Sequence, residues 1–462
     1  MDCSVFTSRF AASLVWRLFV CLMLAGRVPL AENVYLVKDI SWPFPSSGSD
    51  PQRLIDANGV CFFYAIQNVT LVQLWKSNAT SAGTTKVFDD ILGPYLLAHS
   101  NGAVFFAHND GTHGVELWKT DGTVAGTGMV KDLYPGHPTT HSNPQWLTPY
   151  KRALFFGAVD ASGSGYHLWR SDGTASGTVI VKRFPSRWAG IWSPVDERMT
   201  VAGNTLFFPA DDGVHGFELW KSDGTGSGTV MVRDIAPYGG PGPHHLTDVN
   251  GTLFFVSSAV GASGLWKSDG TSQGTVLVRG IGTPTELTNV NGTLFFAAEG
   301  GTTGHDLWKS DGTASGTVMV KSMEITPDVS YFTSMNGLLF FTTSYGHLWK
   351  SNGTAAGTVR VRTTSPVPLS CYYLTAVNGA LFFSASSSPY GRELWKSDGT
   401  DAGTVMVKDI DPGSGSSGPE QVTRIGNRLF FSARDSVHGR ELWVVDGIPN
   451  RSISAVPNWT RY

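Results

Sequence analysis

Two carboxylates and an imidazole recur at a fixed spacing in three parts of the chain. The pattern is Asp-x-x-His-x-x-Glu, and its copies are Asp110/His113/Glu116, Asp212/His215/Glu218 and Asp435/His438/Glu441. Such groups can bind a divalent cation or work as an acid and base pair. They can also close turns by hydrogen bonding to the backbone. We expect the turn role, because the copies fall in different repeats and the Glu begins a strand.

Metal chemistry has little further support in the sequence. The Asp-x-Asp-x-Asp-Gly loop that would be strong evidence for calcium does not occur. We therefore predict no dedicated cofactor, and calcium stays a ligand without its own motif. No catalytic residue is predicted, and the sequence favours a protein without catalysis of its own.

Tryptophans outside the repeated position form the second candidate site. Apart from Trp16 and Trp459 near the ends of the chain, they are Trp42, Trp146, Trp188 and Trp192. Exposed aromatic rings beside polar groups suit sugar rings or protein partners. We predict binding around Trp146, Arg187, Trp188 and Trp192. The alternative is that these rings plug the channel or fix the insertion 184–192 to the body of the fold.

The elements that must position these residues repeat along the whole chain. Leu-Trp occurs nine times with a period of about 46 residues, which indicates one repeat architecture rather than separate domains. In the fifth repeat, residues 246–249, 252–256, 264–268 and 275–279 read as four strands. Asn250-Gly251 makes the first hairpin turn, and an Asp-Gly-Thr turn follows the Trp strand. Four antiparallel strands in this length are typical of a propeller blade.

The ninth repeat lacks its last strand, and the missing piece stands at the other end of the chain. Residues 34–40 match that strand, so the two ends complete one blade and close a ring. We predict an all-β fold, a closed β-propeller of nine blades over residues 32–447, with a tail at 448–462. A solenoid is the competing architecture, but its ends are capped separately.

The repeat also resembles a known family. Residues 218–225, Glu-Leu-Trp-Lys-Ser-Asp-Gly-Thr, and the following Gly228-Thr229 are similar to the signature of the bacterial ELWxxDGT-repeat proteins, often labelled hyalin-like. The resemblance extends from about residue 34 to 447. It implies an exported bacterial protein with a propeller-like fold, and it implies no established activity.

Composition and the N-terminus restrict the partners. Residues 1–31 resemble a secretory signal peptide with an apolar core too short to span a bilayer, and no later segment is long enough to do so. A net charge of −3 without a basic cluster argues against nucleic acid. We therefore expect a secreted or cell-surface protein. The sequence does not predict its oligomeric state.

Strand order predicts where a ligand would bind. The stereotyped Asn-Gly and Asp-Gly-Thr turns share one face, and the irregular loops and blade connections share the other, which we call the variable face. Irregular loops on a regular frame usually carry function. We expect a glycan or protein ligand there. The alternatives are a carbohydrate-active hydrolase or lyase with acids around the channel, and a structural surface or matrix component.

Overall fold

The structure is a computed structural model, and all the secondary structure of its described residues is β. It describes residues 32–448 except for short segments, which are 42–47, 68–70, 90–95, 137–138, 164, 185–189, 192–198, 238–239, 301–303, 324–328 and 363–368. No helix in this part is long and apolar enough to cross a membrane.

The strands form nine antiparallel sheets, one for each predicted repeat. Blades 1 to 3 contain β2 Gln52–Ala57, β3 Val60–Gln67, β4 Leu71–Ser77, β5 Thr85–Phe88; β6 Leu97–Ser100, β7 Ala103–Asn109, β8 Val115–Thr120, β9 Gly128–Lys131; β10 Gln145–Tyr150, β11 Ala153–Ala158, β12 His167–Ser171, β13 Val179–Lys182. Blades 4 to 6 contain β14 Gly190–Ile191, β15 Thr200–Ala202, β16 Thr205–Asp211, β17 Phe217–Ser222, β18 Val230–Arg233; β19 His244–Val249, β20 Thr252–Ser257, β21 Gly264–Ser268, β22 Val276–Arg279; β23 Thr285–Val290, β24 Thr293–Glu299, β25 His305–Ser310, β26 Val318–Lys321. Blades 7 to 9 contain β27 Val329–Met335, β28 Leu338–Thr343, β29 Leu348–Ser351, β30 Val359–Arg360; β31 Leu369–Val377, β32 Ala380–Ser387, β33 Gly391–Ser397, β34 Val405–Lys408; β35 Glu420–Ile425, β36 Arg428–Asp435, β37 Gly439–Asp446 and, from the N-terminus, β1 Asn33–Lys38.

The blades stand in a ring, and the first strand of each blade faces the centre. The inner strands of neighbouring blades contact each other from β15 round to β35, β2, β6 and β10, and blades 3 and 4 are joined at the centre by the Thr148 hydrogen bond to Met199 O. Five inner-strand threonines donate a side-chain hydrogen bond to a carbonyl of the next blade, namely Thr148, Thr200, Thr247, Thr333 and Thr375. The prediction of a nine-bladed propeller is confirmed.

Closure of the ring also follows the prediction. Strand β1 pairs with β37 in antiparallel register, with Leu36 opposite Trp443, and so forms the outer strand of blade 9. Lys38 lies 5.8 Å from the centre of the Trp75 ring of blade 1 and donates to Thr84 O. The contact between blades 9 and 1 therefore uses a cation over a tryptophan ring, as do several of the contacts between blades that follow one another in the chain.

A cation at the end of the outer strand bridges each of several blades to the next. Lys182 lies over Trp220, Arg279 over Trp308 and Lys408 over Trp443, at 5.4 to 5.5 Å from the ring centres. A cation near an aromatic face is attracted by the ring quadrupole. The tryptophan of the Leu-Trp pair thus packs in the core of its own blade, and its ring also contacts a cation of the preceding blade.

The turns have the predicted chemistry. At the Asn-Gly turns both residues have positive φ, as at Asn250 (52°) and Gly251 (88°). At the Asp-Gly-Thr turns the Asp side chain accepts the backbone N–H two residues on, as Asp223 does from Thr225 at 2.8 Å. These polar side chains are used in shaping turns.

Candidate functional site

The glutamate of the Glu-Leu-Trp repeat is buried and holds the connection to the next blade. Glu218 is fully buried, and its two oxygens accept backbone N–H groups of Ile235 and Ala236 at 2.8 Å. Glu116 and Glu441 are buried in the same way; Glu116 accepts from Leu133 N at 2.9 Å. A buried N–H group without an acceptor is costly, so one carboxylate satisfies donors that the connection cannot pair itself.

Repeats without this Glu solve the same problem differently. Asp306 accepts from Met323 N at 2.8 Å, and His167 Nδ1 accepts from Phe184 N at 3.2 Å. In blade 5 the position is Gly264, where a Cβ atom would come 2.3 Å from Arg279 O. The residue type at the Glu position therefore depends on the backbone of the connection that it contacts. Its role is structural.

Burial makes these glutamates sensitive to pH. Desolvation raises the pKa of Glu116, Glu218 and Glu441 to about 7, against the lowering effect of their N–H donors. For Glu218 the carboxyl group of Asp234 raises the pKa further. The folded state therefore binds protons that the unfolded chain, with an ordinary glutamate pKa near 4.5, has released.

We expect the free energy of unfolding to fall as the pH rises from 5 to 8. The stabilisation from protonation is complete below about pH 4.5 and is lost through about pH 7, at up to about 3 kcal/mol for each glutamate. Urea titrations at several pH values measure it. The Glu218→Gln variant cannot titrate at this position, so it should show a shallower dependence. A wild-type protein as stable at pH 8 as at pH 5 would contradict this account.

The aspartate and histidine of each Asp-x-x-His-x-x-Glu copy form a hydrogen-bonded pair in the loop between the second and third strands. His113 Nδ1 lies 2.7 Å from Asp110, and His215 and His438 lie 2.8 Å from Asp212 and Asp435. Each Asp also accepts backbone N–H groups of its loop, for example those of residues 112 and 113 on Asp110. The hydrogen bonds support the turn interpretation.

The three pairs do not share a blade. They lie in blades 2, 4 and 9, and at least one whole blade separates each from the next around the ring. Within the described residues, no group of three or more His, Cys, Asp and Glu side chains could hold a metal ion. Asp and His are therefore paired within each loop, but the three loops lie apart from one another.

A feature that the sequence did not reveal lies on the inner strands. Near the start of seven of them, the register shifts at a residue whose φ lies between 55° and 58°; these residues are Arg53, Trp146, His245, Glu286, Tyr331, Tyr373 and Gln421. Such β-bulges bend the strand and re-aim a side chain. Each follows the connection from the preceding blade, so the bulges lie at the variable-face end of the channel.

The side chain at the bulge differs from blade to blade, while the backbone around it is repeated. We call Arg53, His245, Glu286, Tyr331, Tyr373 and Gln421 the mouth residues; all are exposed or half-buried. Neighbouring members touch: Gln421 Oε1 accepts from Arg53 N at 3.3 Å, and the rings of Tyr331 and Tyr373 are 6.1 Å apart. Cationic, anionic, amide and aromatic groups thus meet around one opening.

Trp146 has the same backbone conformation but a different environment. It is 4% exposed, and its ring packs 5.2 Å from Tyr166 and against Gly157, in the core between blades 3 and 4. We therefore leave it out of the site. Arg187, Trp188 and Trp192 lie outside the described residues.

Comparisons with known proteins give no family and solved structures of low identity. No family model matches the chain, and no curated protein matches it. Among solved structures, it is similar to the computationally designed Ika8 protein, at 10% identity and a TM-score of 0.44, over 88% of this chain and 99% of that one. A puromycin hydrolase (14% identity, TM-score 0.41) and a prolyl endopeptidase (11%, 0.44) are similar over 86% and 84% of this chain. The alignments cover 59% of the puromycin hydrolase chain and 55% of the prolyl endopeptidase chain.

Proposed function

We propose that this protein is an exported, non-catalytic binding protein whose ligand, a glycan or a protein, is held at the channel mouth on the variable face. The observation that carries the proposal is the repeated bulge. A left-handed backbone at a non-glycine residue costs free energy, and such strain concentrates at functional sites. Here it recurs at the same place in seven inner strands, and the side chains it presents are the part that varies.

The distribution of acids favours binding over catalysis. A hydrolase or lyase at the channel would need carboxyl groups of perturbed pKa facing a substrate. The glutamates whose pKa burial raises, Glu116, Glu218, Glu393 and Glu441, lie instead on the third strands of their blades. Their oxygens accept hydrogen bonds from the chain itself.

Export is proposed from the sequence, on the leader-like residues 1–31 and on the resemblance to ELWxxDGT-repeat proteins. The insertion between blades 3 and 4 is proposed to extend the site, with Arg187, Trp188 and Trp192 as its contacts. Tryptophan and arginine are the residue types that contribute most at binding sites.

The test is a screen of the purified full-length chain against a glycan array, soluble polysaccharides and extracellular proteins, with calcium and with chelator. We expect saturable binding of one ligand with no chemical change in it by chromatography. The Trp188→Ala/Trp192→Ala variant should bind that ligand at least tenfold more weakly. Unchanged affinity of this variant would refute the placement of the insertion, and turnover of the ligand would refute the non-catalytic role.

A further inference from the structure

Two mouth residues, Tyr331 and Tyr373, form an aromatic cluster with Tyr372 where blades 7 and 8 meet. The ring of Tyr331 is 5.8 Å from that of Tyr372 and 6.1 Å from that of Tyr373, while Tyr372 and Tyr373 are 6.3 Å apart. Strand β31 has two residues of positive φ, Ser370 and Tyr373, and two register shifts. The additional shift brings two consecutive tyrosines to this joint.

Two charged groups border the three rings. The guanidinium of Arg392 lies 4.6 Å from the centre of the Tyr372 ring, and Glu286 on the other side accepts from Phe332 N at 3.1 Å. Burial raises the pKa of the Tyr331 phenol most, and Tyr373, Tyr372 and Glu286 raise it further, while Arg392 lowers it. One carboxylate and one guanidinium balance, so the cluster carries no net charge to favour an ionic ligand.

The three rings pack on one another. The ring of Tyr331 meets that of Tyr372 edge to face at 90° and that of Tyr373 at 64°. Rings in such mutual contact stabilise each other and do not form two open faces around a ligand. Tyr373 is the most exposed of the three residues, at 39%, while Tyr331 and Tyr372 are half-buried. A ligand therefore lies on the outer side of the cluster.

We propose that Tyr331, Tyr372, Tyr373, Glu286 and Arg392 form a saccharide-binding subsite for a neutral pyranose unit of a glycan. An aromatic ring offers an apolar face, and the apolar C–H face of a pyranose covers it while the sugar hydroxyls stay at its edge. Glu286 accepts hydrogen bonds from hydroxyls and Arg392 donates them. This inference rests on the proposed binding function and specifies its ligand.

The ring of Tyr373 has a matched control in the same blade. Tyr390 is 37% exposed and lies in the turn between β32 and β33, where it borders a cavity of about 140 Å³ with Trp395 of the third strand and Met406 of the fourth. It is the same residue type with nearly the same exposure, and it lies away from the channel. Substitution there reports the effect of losing an exposed tyrosine as such.

The experiment measures affinity of the full-length chain for the neutral glycan that binds most tightly on an array of neutral and uronate-containing glycans. We expect Tyr373→Ala to weaken binding at least tenfold, Tyr373→Trp to retain it, and Tyr390→Ala to equal the wild type. Circular dichroism and melting temperature check that each variant is folded.

The other outcomes separate this inference from the proposed function. Wild-type affinity in Tyr373→Ala would show that the glycan binds elsewhere, which overturns the subsite and leaves the binding function intact. Exclusive binding of acidic glycans or of a protein would overturn the ligand class. Failure of the wild type to bind any glycan, polysaccharide or protein would overturn both proposals.

Discussion

Deletion of residues 32–41 is expected to abolish the stable fold. These residues carry β1, and their buried side chains Val34, Val37 and Ile40 pack into the cores on both sides of blade 9. At about 1.5–3 kcal/mol for each apolar side chain, their loss removes about 5–9 kcal/mol. That is most of the stability of an ordinary domain. The deletion also exposes the edge of β37, which invites aggregation.

A circular permutant provides the control for this deletion. In it, residues 32–41 follow residue 448 through a short turn, so that blade 9 is continuous like the other blades. Because Asn33 lies opposite Asp446, the two strands are already placed as a hairpin. We expect the permutant to melt near the wild-type temperature and the deletion variant to show no cooperative transition. A deletion variant that melts like the wild type would show that β1 does not close the ring.

The second large effect is expected at the buried glutamate of the repeat. Replacing Glu218 by alanine leaves the N–H groups of Ile235 and Ala236 buried without acceptors, at a cost of about 2–5 kcal/mol. We expect a lower urea midpoint and faster hydrogen exchange at these two amides. Ligand binding at temperatures where the variant is folded should be unchanged.

Conservative variants test whether the role is structural. Glu218→Gln keeps one acceptor oxygen and should lose less stability than Glu218→Ala. The loss in Glu218→Asp should lie between those of these two variants, since Asp306 fills this position in blade 6. A Glu218→Ala protein with wild-type stability but without ligand binding would assign this carboxylate to function and contradict our account.

The repeat made the architecture predictable from the sequence. Asn-Gly and Asp-Gly-Thr residues have local turn chemistry that does not depend on the rest of the fold, and the split repeat specifies closure through residues 34–40. The fifth repeat illustrates the limit. Its first strand begins at His244 rather than at Leu246, because the bulge at His245 extends the pairing.

The candidate site was far less predictable. A left-handed conformation is usually signalled by Gly or Asn, but the bulges fall on Arg, Trp, His, Glu, Tyr and Gln, so no residue type marks them. The sequence signal that could have found them is the Thr two residues later in six of these strands, such as Thr375 after Tyr373. Trp146 shows the converse problem, since an aromatic residue outside the repeat looks the same whether it packs in the core or faces a ligand.

The central claim is that a ligand binds at the channel mouth, and hydrogen exchange with and without the tightest-binding partner from the screen tests it most directly. We predict slower exchange in the segments that carry the mouth residues, 52–55, 244–247, 285–288, 330–333, 372–375 and 420–423. Exchange in the Asp-Gly-Thr turns on the opposite face should not change. Protection confined to those turns or to the outer strands would contradict the claim.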